Sequence, residues 1–223
     1  MVGVVIQSRL NCNFGEHNTD MRTLYSGLFF VLLGFTTQLH AWSLAKDKEG
    51  VRVFTKDSSF SGFKMFRGEV RVNADLDRAL TFLQDAKLAT TWLHDCIESR
   101  VLASTSAEHY TVYQVIKAPW PVDDRDYVLD IRITRAKTAK KAVIEVRGLD
   151  RPDLVPLKQK RVRVTELNGT WTLTQIAENS VEITYQTEAN PTGKIPAWLA
   201  NAFVVDQPFS TLLNLKQHFA ALQ

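Results

Sequence analysis

Six segments between His109 and Thr187 carry the pattern of short β-strands, and this series restricts the fold more than any other feature. They read HYTVYQVIK, DYVLDIRIT, KAVIEVR, KRVRVTEL, TWTLTQI and VEITYQT. In the second segment Tyr127, Leu129, Ile131 and Ile133 fall on one face, whereas Asp126, Asp130, Arg132 and Thr134 fall on the other. Alternation with a period of two residues indicates a strand with one buried face. The regular spacing favours an antiparallel meander.

The segments on either side of this series complete an α+β pattern. VRVFT, FKMFRGEVRV and IESRVLAS are three more predicted strands, and Asn73 or Asp75 can cap a helix that runs to about Thr91. Pro196 suits the first position of a helix over AWLANAFVV, and a second helix starts near Pro208. The sequence therefore predicts one α+β domain with about nine strands, one crossing helix and a long C-terminal helix.

The first 41 residues have the organisation of an export signal. After Arg22 comes an apolar core of 12 residues, 24–35, which is shorter than the roughly 18 residues that span a bilayer. Ala41 offers a small residue for cleavage. We therefore expect residues 1–20 to precede the true start, residues 21–41 to be a signal peptide, and residues 42–223 to form the domain. An uncleaved membrane anchor is the alternative.

The predicted location follows from this signal. We expect the protein to be exported, to the periplasm in a Gram-negative bacterium and otherwise secreted or membrane-anchored. Cys96 is the only cysteine after residue 41, so no intramolecular disulfide is predicted in the mature chain.

Composition and spacing exclude several kinds of site. The 27 basic and 24 acidic residues give a net charge of +3 without basic blocks, so nucleic-acid binding is not predicted. The histidines show no metal-ligand spacing and no glycine-rich phosphate loop is present, so we predict no metal and no cofactor.

Three motifs in order resemble the START lipid-transfer family: WLHDC, TVYQVIKAPWPVDDRDYV and NPTGKIPAWLANAF. The resemblance covers essentially all of residues 42–223 and is nearest to exported bacterial members. It implies a helix-grip fold, in which a curved antiparallel sheet surrounds the C-terminal helix and a hydrophobic tunnel between them holds one lipid. It also implies that the lid over this tunnel is the C-terminal helix with its neighbouring loops. We expect a monomer.

The strand faces and the resemblance together give a predicted ligand site. Gln114 is a candidate hydrogen-bonding group for a lipid headgroup, because it shares a face with Val112 and Ile116. Val112 and Ile131 stand where some sterol-binding members carry an acid and an arginine, and Ala89 replaces an arginine of phosphatidylcholine-binding members. The sequence therefore leaves the identity of the lipid open. The full set is Val112, Gln114, Tyr127, Leu129, Ile131, Trp171, Leu173, Ile183, Tyr185, Leu212, Leu215 and Phe219.

Catalytic alternatives have weaker support in the sequence. His94, Asp95 and Cys96 are consecutive, whereas catalytic groups converge from separate positions, so we expect Cys96 to be a buried structural residue. Asp123, Asp124 and Asp126 form an acidic cluster, but the resemblance assigns this region to a rigid turn. We predict a non-enzymatic lipid carrier. An enzyme of the same superfamily and a lipid sensor that engages a partner remain alternatives.

The segment 149–163 is the candidate for transient contact with a membrane. Its sequence LDRPDLVPLKQKRVR places apolar side chains beside cations, a combination that suits an anionic bilayer. The docking residues that we predict are Leu154, Val155, Leu157 and Lys158. An ordinary exposed loop that leads into an edge strand is the alternative.

Overall fold

Ten strands form a single sheet in the part of the chain that the computed structural model describes, namely residues 41–136, 140–193, 195, 199–200 and 202–221. Their bounds are β1 Ser43–Lys48, β2 Val51–Asp57, β3 Lys64–Val72, β4 Cys96–Ser106, β5 His109–Ile116, β6 Asp124–Ala136, β7 Lys141–Gly148, β8 Arg161–Arg163, β9 Leu167–Ala177 and β10 Ser180–Ala189. The order across the sheet is β1-β2-β3-β10-β9-β7-β6-β5-β4, with β8 beside β6.

All neighbouring strands in this order are antiparallel, and β8 alone among the described strands runs parallel to its partner. The prediction of KRVRVTEL as a further strand of the meander is therefore wrong beyond Arg163. β7 pairs with β6 from Leu129 onward, and β8 occupies the same edge of β6 over Asp124–Asp126. The chain leaves the sheet after β7 and returns only for these three residues.

Three short helical segments connect β3 to β4, and two more with described bounds follow β10. They are α1 Leu76–Gln84, a 3₁₀ turn Ala86–Leu88, α2 Ala89–Trp92, a π-helical turn Ala202–Asp206 and α3 Gln207–Ala221. The Asp75 carboxylate accepts a hydrogen bond from the backbone N–H of Arg78 at 2.8 Å, which confirms Asp75 as the N-cap. The predicted continuous helix to Thr91 is wrong. Asp85 is extended and its carboxylate caps Lys87 N at 2.9 Å, so a new turn begins there.

The C-terminal helix α3 packs against one half of the sheet. Gly68 on β3 leaves the space that the Leu212 side chain occupies, because a β-carbon at this glycine would collide with it. Leu212, Leu215 and Phe219 are almost completely buried in this contact. The α+β helix-grip arrangement with a curved antiparallel sheet is thereby confirmed. None of the helices in the described ranges combines the length and the apolarity needed to cross a bilayer.

Two predicted features lie outside the described residues. One is the export signal with the preceding residues 1–20, of which only Ala41 is described, and the other is Pro196 as the first residue of a helix. Leu199 and Ala200 are helical, and Ala202–Asp206 follow as the π-helical turn.

Candidate ligand cavity

A cavity lies beside α3, between the inner face of the sheet and the helical turns. It contains about 180 Å³ of space for the centres of water-sized spheres, and because roughly 10–15 Å³ in this measure holds one water, there is room for on the order of ten. Strands β3, β5, β6, β7, β9 and β10 supply one wall. The end of α1, the 3₁₀ turn, α2 and the π-helical turn supply the other. Most of the side chains that line it are apolar.

On β5 and β6, every second side chain points into this cavity. Val112 lies opposite Leu129, Gln114 lies opposite Tyr127, and Tyr110 lies opposite Ile131. All six residues line the cavity. The intervening residues, among them Tyr113 and Val128, point to the outer face and form a separate apolar cluster there.

Aromatic rings make one end of the wall rigid. Trp171 and Tyr185 stack with ring centres 3.7 Å apart and an interplanar angle of 7°. Phe66 meets Tyr185 edge-on at 4.8 Å, and Trp92 meets Trp171 edge-on at 5.5 Å. Aromatic pairs in these geometries contribute about 0.5–1.5 kcal/mol each beyond the area they bury. Neighbouring rings therefore hold this part of the wall in place before any ligand enters.

The polar groups that β5, β6 and β10 contribute to the wall are neutral. Burial raises the pKa of Tyr185 and Tyr110 to about 12 and the pKa of Tyr127 further still. The Tyr110 hydroxyl donates a hydrogen bond to the backbone oxygen of Gln84 at 2.9 Å. Gln114 reaches the Ser99 hydroxyl at 3.4 Å, which is a long hydrogen bond. These tyrosines stay protonated throughout the physiological range of pH.

The structure divides the predicted ligand-binding residues into two groups. Seven line the cavity: Val112, Gln114, Tyr127, Leu129, Ile131, Trp171 and Tyr185. The other five, Leu173, Ile183, Leu212, Leu215 and Phe219, are packed in the main hydrophobic core and are not among the cavity-lining residues. These five therefore belong to the packed core and not to the cavity wall in this structure. That any of the twelve touches a lipid stays a prediction.

Sequence reasoning missed the contribution of the helical side of the cavity. Trp92 and Leu93 line it from the end of α2, and Phe203 and Val204 line it from the π-helical turn. Their segments are too short to show an amphipathic period, so periodicity gave no signal for them. The motif WLHDC does begin at Trp92, and a single large aromatic residue at the end of a short helix was the available cue.

The three consecutive residues His94, Asp95 and Cys96 do not line the cavity. Cys96 is 6% exposed, and burial raises the pKa of its thiol to about 11. The thiolate is the reactive form of cysteine, so this group is unreactive at neutral pH. Among the described residues, moreover, no cluster of three or more His, Cys, Asp or Glu side chains could hold a metal ion.

We expect Cys96 to resist thiol reagents in the folded protein. In a Cys12→Ser variant, which leaves Cys96 as the remaining thiol, a chromogenic disulfide reagent at about pH 8 should react only after denaturant is added. Rapid labelling of the native protein would contradict the burial of this side chain. The variant Cys96→Ala should also keep its lipid binding.

The acidic cluster of the β5–β6 turn is structural. The Asp124 carboxylate accepts a hydrogen bond from Ala118 N at 3.0 Å. Asp126 is 1% exposed and lies on the outer face, where its two oxygens bind the Arg163 guanidinium at 2.9 and 3.1 Å. The prediction of a single buried face for this strand is wrong at Asp126, because residues from the segment 149–163 cover the other face there.

Arg125 connects the β5–β6 turn to the residues that follow β10. Its guanidinium donates to the backbone oxygen of Asp123 at 2.6 Å, and to those of Pro191 and Thr192 at 3.4 and 3.3 Å. It also lies 5.9 Å from the ring centre of Phe203. Pro191 and Phe203 both line the cavity, so Arg125 contacts the wall from outside at two of its residues. The same turn exposes Trp120, with 90% of its surface accessible.

The segment 149–163 differs from its prediction in one respect. Val155 is 2% exposed and packs with the outer apolar cluster, so it is not an exposed tip. Arg161 binds Glu98 at 3.1 Å and Arg163 binds Asp126, so neither cation is free for a membrane. Leu154 and Leu157 are exposed, the latter at 67%, and Lys158 is exposed beside them.

Three comparisons with known proteins agree with this geometry. The family model described as START domain matches residues 31–223. An uncharacterised protein of Pseudomonas aeruginosa is 39% identical over 175 residues, which are 78% of this chain and 85% of that protein. A STAR-related lipid transfer protein from Xanthomonas axonopodis, solved as a fragment, is 38% identical with a TM-score of 0.71 and covers 80% of this chain and 98% of its own.

A more distant structure shows the same fold. Human StAR-related lipid transfer protein 5 is 15% identical, has a TM-score of 0.73, and covers 83% of this chain and 89% of its own. At this level of identity the likeness concerns the fold alone.

Proposed function

The chain belongs to the START domain family, and from this membership we propose that it binds a single lipid in its cavity and carries it between membranes. Membership of the family supports lipid binding in general. The transfer of one lipid at a time is the part that we propose. The observation that carries it is the apolar cavity with its rigid aromatic wall. Burial of each CH₂ group contributes about 0.8 kcal/mol, so a sixteen-carbon chain gains about 12 kcal/mol by leaving water.

We propose further that the protein is not an enzyme. The described residues that line the cavity include no His, Cys, Asp or Glu. These residue types supply most general acids, bases and nucleophiles, and a candidate must reach the substrate. The tyrosines of the wall have raised pKa values and are therefore weak proton donors at neutral pH.

The transfer role can be tested with two populations of vesicles. Donor vesicles carry a quenched fluorescent lipid, acceptor vesicles carry none, and the protein should accelerate the appearance of fluorescence in proportion to its concentration. Extraction of the purified protein with organic solvent provides the second measurement. Recovery of a protein without lipid that converts a small apolar substrate would instead support the enzymatic alternative.

Contact with the membrane is proposed at the outer side of the start of β6. Leu154, Leu157 and Lys158 lie on the segment that returns as β8, and Trp120 lies on the turn that precedes β6. Exposed leucines and tryptophan enter the interfacial layer of a bilayer, and each nearby cation adds about 1 kcal/mol on an anionic surface. The occupant that we propose for this surface is therefore an anionic bilayer.

The double variant Leu154→Asp with Leu157→Asp should bind anionic vesicles at least about tenfold more weakly at low salt, because two carboxylates would face the lipid phosphates. Vesicle sedimentation measures this binding. A matched control is Leu44→Asp with Ile176→Asp, since both residues are exposed on other strands. Equal losses in the two double variants would reject this docking surface, and Trp120→Ala tests the turn separately.

We also propose that the protein works outside the cytoplasm. The support is the sequence from Met21 to Ala41, with one cation, a short apolar core and a small residue at the cut. Fractionation of the source cells and determination of the mature N-terminus test this proposal. A cytoplasmic protein that keeps residues 21–41 would contradict it.

A further inference from the structure

The wall of the cavity contains almost no charge. Among the described lining residues, Lys64 is the one that carries a charge, and its side chain is exposed at the start of β3. An ion that enters an apolar site without a counter-ion loses its hydration and gains nothing comparable in return. An anionic or cationic headgroup would therefore lose free energy by entering this cavity.

Arg125 is a buried cation close to the cavity, but its guanidinium is already hydrogen-bonded within the protein. Arg125 is 1% exposed and is not among the lining residues. Its three nitrogens all donate to backbone oxygens, those of Asp123, Pro191 and Thr192. To bind an anionic headgroup, the guanidinium would have to give up the contacts that join the β5–β6 turn to the residues after β10. Arg125 is therefore a structural residue of this junction and not a counter-ion for the ligand.

Neutral hydrogen-bonding groups do face the cavity. Tyr127 and Gln114 are opposite each other on neighbouring strands, and Tyr185 on β10 also lines the cavity. Burial raises the pKa of Tyr127, so its hydroxyl stays protonated and can donate a hydrogen bond to a ligand. A polar ligand group that is buried without a hydrogen bond costs free energy, so the oxygen of a ligand would be favoured beside this hydroxyl.

We infer that the ligand is an uncharged lipid whose hydroxyl or carbonyl oxygen meets the hydroxyl of Tyr127, an inference that rests on the proposed function. Gln114 is the second polar group within the same part of the wall. The remaining lining residues of β5 and β6, which include Val112, Leu129 and Ile131, contact the hydrocarbon.

The test compares three ligands with the same sixteen-carbon chain: hexadecanol, hexadecane and hexadecanoate, each competing with Nile red for the delipidated full-length protein. At about pH 9 the carboxylate is ionised, whereas the three cavity tyrosines, Tyr110, Tyr127 and Tyr185, remain protonated because their pKa values are raised. We expect hexadecanol to bind at least about tenfold more tightly than hexadecanoate, since the carboxylate would be buried without a partner.

The variant Tyr127→Phe should reduce the preference for hexadecanol over hexadecane by about fivefold, the effect of one hydrogen bond. The matched control is Tyr110→Phe, because the Tyr110 hydroxyl also belongs to a cavity-lining tyrosine but already donates to Gln84 O. In this control the ratio of the two affinities should not change. The ratio is insensitive to a general loss of stability, which would weaken both ligands equally.

Each result has a defined meaning. Hexadecanoate that binds as tightly as hexadecanol would overturn the inference while leaving lipid binding intact, and would point to rearrangement of Arg125. An unchanged alcohol-to-alkane ratio in Tyr127→Phe would overturn the assignment of Tyr127. Failure of all three ligands to displace Nile red would instead contradict the proposed function itself.

Discussion

Replacing Asp126 by alanine is expected to lower the free energy of unfolding by about 3–5 kcal/mol, because it leaves the buried Arg163 guanidinium without its counter-ion. The Arg163 side chain is 4% exposed and its other hydrogen bond goes to the backbone oxygen of Val155 at 3.1 Å. The Asp126 carboxylate also accepts a hydrogen bond from Tyr113 at 3.0 Å. This single carboxylate thus joins β6, β5 and β8.

Urea unfolding at neutral pH measures this loss. The matched control is Asp153→Ala, since Asp153 also pairs with an arginine, Arg151, but does so on the exposed surface. We expect the control to be indistinguishable from the original protein, because exposed ion pairs contribute little. The double variant Asp126→Ala with Arg163→Met should be less destabilised than Asp126→Ala alone. A small effect of Asp126→Ala would show that water reaches Arg163.

The variant Ile131→Trp is expected to abolish lipid binding while the protein stays folded. Ile131 lies on β6 and its side chain lines the cavity. An indole at this position would extend into the space that we assign to the lipid. Because Ile131 borders a cavity, the larger side chain should cause less strain than overpacking of a filled core, which costs about 1–3 kcal/mol.

A size series at the same position separates blockage from damage. Ile131→Ala removes lining surface but leaves the cavity open, so lipid should still bind, with reduced stability. Bound lipid after purification is the measurement, and circular dichroism with thermal unfolding reports on the fold. A Trp variant that keeps its full complement of lipid would show that the ligand lies elsewhere.

Alternation in the sequence predicted which side chains of a strand face inward but not what covers them. Tyr127, Leu129 and Ile131 were predicted as cavity residues, and all three line the cavity. Leu173 and Ile183 carry the same alternation on β9 and β10 but are packed in the core. The difference depends on where the helices lie across the sheet, and no strand encodes that by itself.

Alternation also did not predict that the outer face of β6 is covered. The alternation predicts one buried face, but Asp126 on the other face is buried as well, and it pairs with Arg163, which is 37 residues away in the chain. β1 was missed for a related reason. Its sequence SLAKDK is mostly polar, and most of its residues are exposed. It is an edge strand that pairs with β2 through its backbone. Because neither face is buried, its sequence has no apolar alternation that would predict a strand.

The family and its fold were predictable because three motifs in order identify a common architecture, and the α+β assignment is confirmed. The chemistry of the ligand was not predictable in the same way. Gln114 and Tyr127 are 13 residues apart in sequence and lie opposite each other only through the β5–β6 register. Their position opposite each other, and the lack of charge around them, become evident only when all walls of the cavity are assembled.

Native mass spectrometry of the gently purified protein tests the central claim most directly. The account predicts a complex of one protein with one small apolar molecule, and predicts that Ile131→Trp yields the ligand-free mass alone. Solvent extraction of the same sample should release that molecule as an uncharged lipid. A folded original protein that carries no lipid, and takes up none from vesicles, would contradict the claim that this cavity is a lipid-binding site.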